Sequence, residues 1–325
     1  MDTIELAEML RSGNDFLLLT HANPDGDAVG SIMGMSRALR ENGKKAVAYL
    51  HEPLPKTYAL FSDGPIITED LPDFSNFATI LCLDFSAPGR FKEGIEFHTF
   101  PSINVDHHID NQNFCADNFV FPDAAATAEI VFHTLLGMGD WKISSETATC
   151  LLLGLIMDTG CFRFANTGSA ALRTAAEMMD FGADHAKIMD AMFLSKPFGV
   201  AKMEAEVVLK SLRTAFDGRF AWFHLSDELL DRHGVDLKET ERLIDVIREI
   251  EGFEIVAIVK DADEKGKFRL SLRSKNPKFP VGPVARRLGG GGHELAAGCS
   301  IDAETIETAE EKMLAEIAKA FSKGN

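Results

Sequence analysis

The sequence predicts an α/β chain of two domains, the first on a parallel sheet and the second a smaller α/β domain. Three observations carry the prediction. Continuous apolar runs alternate with helix-period stretches through residues 1–195, the pattern of a parallel sheet covered on both faces. The alternation breaks off and restarts after Asp217-Gly218. The 325 residues also match two domains at about 150 residues each.

In order along the chain, Phe16–Thr20 is a continuous apolar run and reads as the first strand. A loop of Pro, Gly and Asp leads into a helix over Ala28–Glu41. Ala46–Leu50, Thr79–Asp84 and Ser102–Asp106 read as further strands, and Ala124–Leu136, Ser145–Leu155 and Ser169–Phe181 as helices. Residues 196–213 carry few turn signals and are expected to form a connector helix. The second domain is expected over 214–325. There Phe220–Leu225 is strand-like and Asp236–Glu249 has an amphipathic helical period. Phe253–Lys260 and Lys267–Arg273 flank an acidic turn, Asp261–Gly266, as a hairpin does. The glycine run Gly289–Gly292 precedes a mixed segment and a C-terminal helix.

Composition excludes several classes. With 46% hydrophobic and 26% charged residues, the chain has the balance of a soluble globular protein rather than a disordered one. Fifty acids against 33 bases leave a net charge of −17, which argues against non-specific binding of long DNA. A small anion in a locally basic or metal-lined cleft stays compatible with that charge. The five cysteines are odd in number and form no CxxC pair, so neither a disulfide framework nor a thiolate zinc site is expected. A reducing cytoplasm fits them. Residues 1–10 lack the basic start and apolar run of a signal peptide. The longest apolar run, Cys150–Met157, is too short to span a bilayer, so no membrane partner is expected. A homodimer is plausible by base rate alone.

Four constellations carry chemistry, each at the end of an apolar segment. His21-Ala-Asn-Pro-Asp25-Gly-Asp27 closes the first strand, where ligands bind in open α/β sheets. One imidazole and two carboxylates there can reach one or two divalent ions; equally, the acids can make the turn and cap the helix. Asp84 ends Leu81-Cys-Leu, as a ligand or as the start of a turn. Asp106-His107-His108 follows a strand, and this triplet is rare by chance; histidine is the commonest transition-metal ligand, and a neighbouring Asp can orient it. Asp158 closes the apolar run from Leu153, where a charge is costly unless it is paired, metal-bound or facing solvent. Together they offer two histidines and four aspartates, enough for two ions sharing a carboxylate. Imidazole ligands shift the choice from magnesium toward manganese or another transition metal.

A fifth constellation lies in the second domain. From Arg269 to His293 the chain carries Arg269, Arg273, Lys275, Lys278, Arg286 and Arg287 with no acid. This run reads either as an anion-attracting patch, with glycine amides and His293 aimed at phosphate, or as a surface basic cluster beside a flexible hairpin. Arg90 and Arg163, each a few residues past a motif Asp, either reach a phosphate or sit on the surface. The 24 Phe are expected in cores. His51, His98, His185, His224 and His233 lack acidic neighbours at telling spacing, and Glu129 with His133 reads as a helix contact.

These motifs resemble the DHH phosphoesterase family, named for the triplet seen here as Asp106-His107-His108. The resemblance covers nearly the whole chain. It pairs a DHH catalytic domain with a DHH-associated domain that carries the glycine-rich segment ending in His293. By length and domain pairing the chain resembles the subgroup of bifunctional oligoribonucleases (nanoRNases) and pAp phosphatases. The resemblance implies that His21, Asp25 and Asp84 hold one manganese, with magnesium or cobalt as substitutes. It implies that Asp27, Asp84, His107 and Asp158 hold another. Asp84 would then bridge and Asp106 would orient the site. His108 would serve as a donor beside the scissile phosphate. Arg273, Ser274, Gly291, Gly292 and His293 would grip a substrate phosphate from the opposite domain, placing the active site in an interdomain cleft. Short RNA and pAp are the implied substrates, cleaved to mononucleotides and at the 3′-phosphate respectively, with no place for long duplex DNA.

Other readings stand beside this one. Family-II pyrophosphatases share a similar metal site but differ in the second domain. RecJ exonucleases usually carry further domains, and a duplex-end nuclease calls for a more basic surface. Linear dinucleotides are an alternative substrate for the same chemistry. A nucleotide-binding regulator without turnover is the alternative of another class. A dehydrogenase-like binder is disfavoured, since no GxGxxG follows the first strand.

Overall fold

The computed structural model describes residues 3–323 apart from 63, 69, 93, 241 and 263. Asp263, within the expected acidic turn, and the outermost residues of both expected domains lie outside the described residues. The chain divides into two compact units between Ser195 and Lys196.

The first unit opens with helix α1 (Ile4–Ser12) and is built on six strands: β1 (Asp15–Leu19), β2 (Lys45–Tyr49), β3 (Ile66–Ile67), β4 (Thr79–Leu83), β5 (Ser102–Asp106) and β6 (Asp117–Val120). Their order is β3-β2-β1-β4-β5-β6 and every pairing is parallel. The order reverses between β1 and β4, so the loops leaving these two strands diverge and open a crevice at their carboxyl ends. The helices are α2 (Gly26–Glu41), the single turn α3 (Lys56–Ala59), α4 (Thr127–Gly137), α5 (Ser145–Asp158), α6 (Ser169–Asp180) and α7 (His185–Met189), the last running into a π-helical turn, Asp190–Leu194. Asp25 caps α2 by accepting from the amides of Asp27 and Ala28, and Ser144 caps α5 through Thr147 N.

Alternate strand residues face two different layers. Phe16, Leu18, Leu81, Leu83, Ile103 and Val105 pack under the helices. Leu17, Leu19, Tyr49, Ile80 and Cys82 meet Phe74, Phe85, Phe91, Phe97 and Phe114. The sheet is covered on both faces as expected, the second face by phenylalanines on turns rather than by helices. Phe97 is fully buried and contacts the rings of Phe74, Phe85, Phe91 and Phe114. A large buried ring at about 1.5–3 kcal/mol each lets irregular chain do the work of a helix there.

Helices α2 and α5 cross at close range because side chains are missing at the crossing. A Cβ on Gly30 would lie 2.5 Å from the Cys150 carbonyl and 2.6 Å from Gly154 N. A Cβ on Gly34 would strike Leu151 at 2.6 Å. Gly154 faces Asp27 itself: a Cβ there would lie 2.8 Å from Asp27 Oδ1. This approach brings the start of α2 beside the end of α5, and so Asp27 toward Asp158.

The second unit contains α8 (Phe198–Glu206), β7 (Arg213–Ala215), β8 (Phe220–Leu225), α9 (Asp227–His233), α10 (Leu243–Arg248), β9 (Ile255–Asp261), β10 (Lys267–Ser274), α11 (Gly282–Arg287), β11 (Gly291–Gly292), β12 (Ala296–Asp302) and α12 (Ile306–Lys323). Its sheet has the order β11-β12-β10-β9-β8-β7, antiparallel except for β8 beside β9. One face packs on α11 and α12, the other on α8, α9 and α10. Residues 196–213, read as a connector, enter this second core through Val200, Met203 and Val207. The long helix expected over 236–249 is replaced by a 3-10 turn, Leu237–Thr240, and the short α10. Among the described residues no helix is long and apolar enough to cross a membrane.

Gly30→Ala is expected to destabilise the first unit by about 1–3 kcal/mol, since the added methyl meets backbone that cannot yield. Gly137→Ala, at a helical glycine with nothing within 4 Å, is expected to stay within about 0.5 kcal/mol of the parent. Thermal unfolding of the two variants checks the contrast.

Candidate metal centre

The four constellations of the first unit converge at the carboxyl edge of its sheet. His21 follows β1, Asp84 follows β4, Asp106 ends β5, Asp25 and Asp27 open α2, and Asp158 ends α5. His21, Asp27, Asp84, Asp106, His107 and His108 are all buried, while Asp25 is exposed and Asp158 partly so. The cluster therefore opens to solvent on the side of Asp25 and Asp158.

Donor atoms face one another at distances too long for hydrogen bonds. His21 Nε2 lies 4.0 Å from Asp84 Oδ2. His107 Nε2 lies 3.9 Å from Asp27 Oδ2, 3.8 Å from Asp84 Oδ1 and 3.7 Å from Asp158 Oδ2. Such gaps separate groups that ligate a common ion at about 2.0–2.2 Å each. Among the described residues of the first unit, three sets have ligand atoms all within 4.8 Å of one another: His21, Asp25 and Asp84; Asp27, Asp84 and His107; and Asp84, Asp106 and His108. Asp84 belongs to all three.

The imidazoles are oriented to offer Nε2. His21 Nδ1 lies 2.9 Å from the Ala22 carbonyl and His107 Nδ1 lies 3.2 Å from the Ala124 carbonyl. Donation at Nδ1 puts the lone pair of the neutral ring on Nε2, the atom that can bind a cation. His21 Nε2 is buried and has no hydrogen-bond partner, a costly state for a polar atom. Burial, aided by the charge of Arg90, pushes the pKa of His21 down to about 4, so the ring is neutral at physiological pH. The residues present therefore fit divalent cations.

His108 and Asp106 play a different part. They share a 2.7 Å hydrogen bond through His108 Nδ1, and Asn111 donates to the other Asp106 oxygen at 2.6 Å. Burial pushes Asp106 upward, but these two bonds outweigh it and hold the carboxyl well below the usual range. Arg90 Nη1 sits 3.2 Å from His108 Nε2, and the Arg90 carbonyl accepts from Ala22 N, which ties this arginine to the His21 loop.

Electrostatics centre on Asp84. Burial, then the charges of Asp27, Asp25, Asp106 and Asp158, push its pKa well above the usual carboxylate range. Burial likewise raises Asp27, although the amides of Ala128 and Thr127 and the His107 ring counter it. Burial lowers His107, but Asp158, Asp27 and Asp106 outweigh it and raise the ring. Asp84 also sits at φ 59°, in the left-handed region, a local strain of about 1–3 kcal/mol that its surroundings must hold in place.

Sequence reasoning missed Thr127, Asn111 and Asn166. Thr127 Oγ1 donates to Asp84 Oδ1 at 2.9 Å, and Asn166 Nδ2 reaches Asp158 Oδ2 at 3.3 Å. Neither lies at a telling distance in sequence from the group it holds, so spacing gave no signal. The distant acidic partners of two histidines were also missed: His224 pairs with Asp261 and His233 with Glu206, both at 2.8 Å. His133 stands 4.0 Å from Glu129 as an i,i+4 neighbour. None of the five cysteines is in a disulfide.

Arg163 lies past Asp158, exposed, with Nε donating to the Gly160 carbonyl at 2.8 Å. In the second unit, Arg273 Nη1 donates to the Leu272 carbonyl, and the buried Ser274 hydroxyl donates to Asn276 O at 3.0 Å. The acid-free basic run is less cationic than its sequence suggests. Arg286 pairs with Glu294 at 2.7 Å, Arg287 with Glu316 at 2.6 Å, and Lys275 donates to the Ile250 carbonyl. The glycines ahead of His293 also have a packing reason. A Cβ on Gly290 would lie 2.1 Å from Gly298 O, and Gly292 has φ 121° with Ala296 O at 2.7 Å from its would-be Cβ.

Comparisons with known proteins agree with the fold. Residues 15–155 match the DHH family, N-terminal domain, and residues 222–323 match the DHHA1 domain. The chain belongs to the DHH family and is a hydrolase of the phosphoesterase class. It is similar to the bifunctional oligoribonuclease and PAP phosphatase NrnA of Thermus thermophilus, at 33% identity over 98% of this chain and 94% of that protein. The Bacillus subtilis protein of the same name is 26% identical over 91% and 92%. Among solved structures, an exopolyphosphatase-related protein from Bacteroides fragilis superposes with a TM-score of 0.85 at 23% identity, over 97% of this chain and 95% of that one. At that identity the likeness shows the fold.

Asp84→Asn removes one charge from a crowd of buried carboxylates while keeping a residue tolerant of positive φ. In metal-free buffer the variant is expected to melt a few degrees higher than the parent, because repulsion is relieved. A divalent ion at a hundredfold above its Kd stabilises a binding protein by about 2.7 kcal/mol, so the parent should overtake the variant once metal is added. Calorimetric melting of both proteins with and without metal checks the crossover.

Proposed function

We propose that the chain is a two-metal phosphoesterase, most active with Mn2+, that hydrolyses short oligoribonucleotides to mononucleotides and removes the 3′-phosphate of pAp. One observation carries this reading: Asp84, buried and crowded by carboxylates, belongs to three overlapping sets of facing donor atoms, one of which ends in the unpartnered Nε2 of His21. The relatives named for oligoribonuclease and PAP phosphatase activity, matched along nearly the whole chain, support the substrate classes.

In this reading His21, Asp25 and Asp84 hold one ion, and Asp27, Asp84, His107 and Asp158 hold the other. Such a pair supplies a nucleophile at neutral pH and neutralises charge that develops on the phosphate. The protein's own groups do the rest. Asp106 fixes His108 through Nδ1, which makes Nε2 the working atom of that ring. In this reading His108 is the donor to a phosphate oxygen or to the leaving group. Arg90, beside the same nitrogen, partners the phosphate oxygens. Arg163, exposed past Asp158, serves in this reading as a further phosphate contact. In the same reading Arg273, Ser274, Gly291, Gly292 and His293 of the second unit grip a substrate phosphate. The acidic surface, at a net charge of −17, supports short ligands over long duplexes. The lack of disulfides among the five cysteines supports a reducing compartment such as the cytoplasm.

With Mn2+ present, release of phosphate and mononucleotide is expected from pAp and from RNA of about two to five nucleotides, with turnover about tenfold lower or less on RNA of about 24 nucleotides. Chelation of the metal is expected to stop both reactions. Preference for pyrophosphate, for a linear dinucleotide or for the long strand would move the chain to another substrate class of the same chemistry. Metal binding without turnover of any of them would make it a nucleotide-binding regulator.

A further inference from the structure

Outside the motifs, one short segment touches the metal centre from several sides. Helix α4 starts at Thr127, and the residue before it, Ala126, offers no side-chain cap. The amides at its start are met instead by a carboxylate from α2. Asp27 Oδ2 accepts from Thr127 N at 2.6 Å and Oδ1 from Ala128 N at 3.0 Å. Asp27 thus does for α4 what an N-cap residue does, and the helix start favours its ionised form.

The Thr127 hydroxyl is also committed to the centre. A helical threonine commonly bonds back to a carbonyl one turn earlier. Here it donates to Asp84 Oδ1 at 2.9 Å. One fully buried residue therefore holds two carboxylates, one through its amide and one through its hydroxyl. Asp84 is the carboxylate common to the three donor sets of this unit, and Asp27 belongs to one of them. Upstream, the Ala124 carbonyl orients His107 at 3.2 Å, and the Ala125 carbonyl accepts at 3.0 Å from the Asn166 amide that reaches Asp158. The buried Glu129 fixes this segment, accepting from Ala125 N at 2.7 Å and from the Thr174 hydroxyl at 3.1 Å.

We propose that Thr127 is a positioning residue for the metal centre: its hydroxyl and amide set the spacing and lone-pair directions of Asp84 and Asp27 for cation binding. This rests on the two-ion reading above. Threonine is suited to the task because its hydroxyl is held by a stiff β-branched side chain, so little rotational freedom is lost on donation. Hydrogen-bond partners of metal ligands typically change affinity by about 10–100-fold when they are removed.

The test titrates metal-free protein with Mn2+, following free ion by electron paramagnetic resonance and heat by calorimetry. Thr127→Val keeps the shape and the amide but cannot donate. It is expected to retain the parent fold by circular dichroism and to bind at least one ion about 10–100-fold more weakly. Thr127→Ser restores the hydroxyl and is expected to bind within about threefold of the parent. If the valine variant does not fold, Thr127→Ala reads the same hydroxyl without the bulk. Parent-like affinity in a folded valine or alanine variant overturns the proposal, as does equal weakening in valine and serine variants. A parent protein that binds fewer than two ions overturns the two-ion reading itself, a result separable from any difference among variants.

Discussion

The structure of the first unit depends on holding several carboxylates together out of water. Asp84 is 2% exposed and has Asp25, Asp27, Asp106 and Asp158 as electrostatic neighbours. Taking even one such group from water costs several kcal/mol unless hydrogen bonds and opposite charge compensate. The surroundings read as that compensation. Amides at the start of α4 hold Asp27, Asn111 and His108 hold Asp106, and Asn166 holds Asp158. Each hydrogen bond to an ionised group contributes about 1.5–3 kcal/mol, which offsets burial one carboxylate at a time but not their mutual repulsion. That remainder is what positive charge in the crevice relieves.

Topology decides where this crowd can form. Parallel strands deliver all their carboxyl ends to one edge, and the reversal between β1 and β4 leaves a gap there that no crossover covers. Acids at the ends of β1, β4 and β5 thus meet by construction. The acid at the end of α5 arrives by a different route, through the close crossing of α2 and α5.

Much of this was legible in the sequence, for a physical reason. Strands buried on both faces read as unbroken apolar runs, and a charged or imidazole residue ending such a run stands out, as His21, Asp84 and Asp106 do. The bends of the chain were less legible. Ser226 and Gly234 bracket α9 as cap and left-handed terminus, a local signal that was available and passed over. The helix read over 236–249 kept its apolar period but breaks near Thr240, where local turn structure prevails over periodicity. The phenylalanine-lined face had no period at all, because its rings come from turns. Least legible were residues that act by proximity across the fold. Thr127 reaches Asp27 from 100 positions away, and Arg287 finds Glu316 from 29. No window over the sequence contains such pairs.

The glycines at the α2–α5 crossing have a consequence for how such a centre can change over time. Side chains elsewhere can be exchanged in small steps of volume, and packing drifts with them. At Gly30 the contact is backbone against backbone, and at Gly154 it is against the Ala128 methyl and the Asp27 carboxylate, so the smallest possible change is a whole methyl group. The separation of Asp27 and Asp158 is therefore held at a hard stop rather than on a sliding scale. Divergence in what such a protein accepts has to begin somewhere other than this crossing.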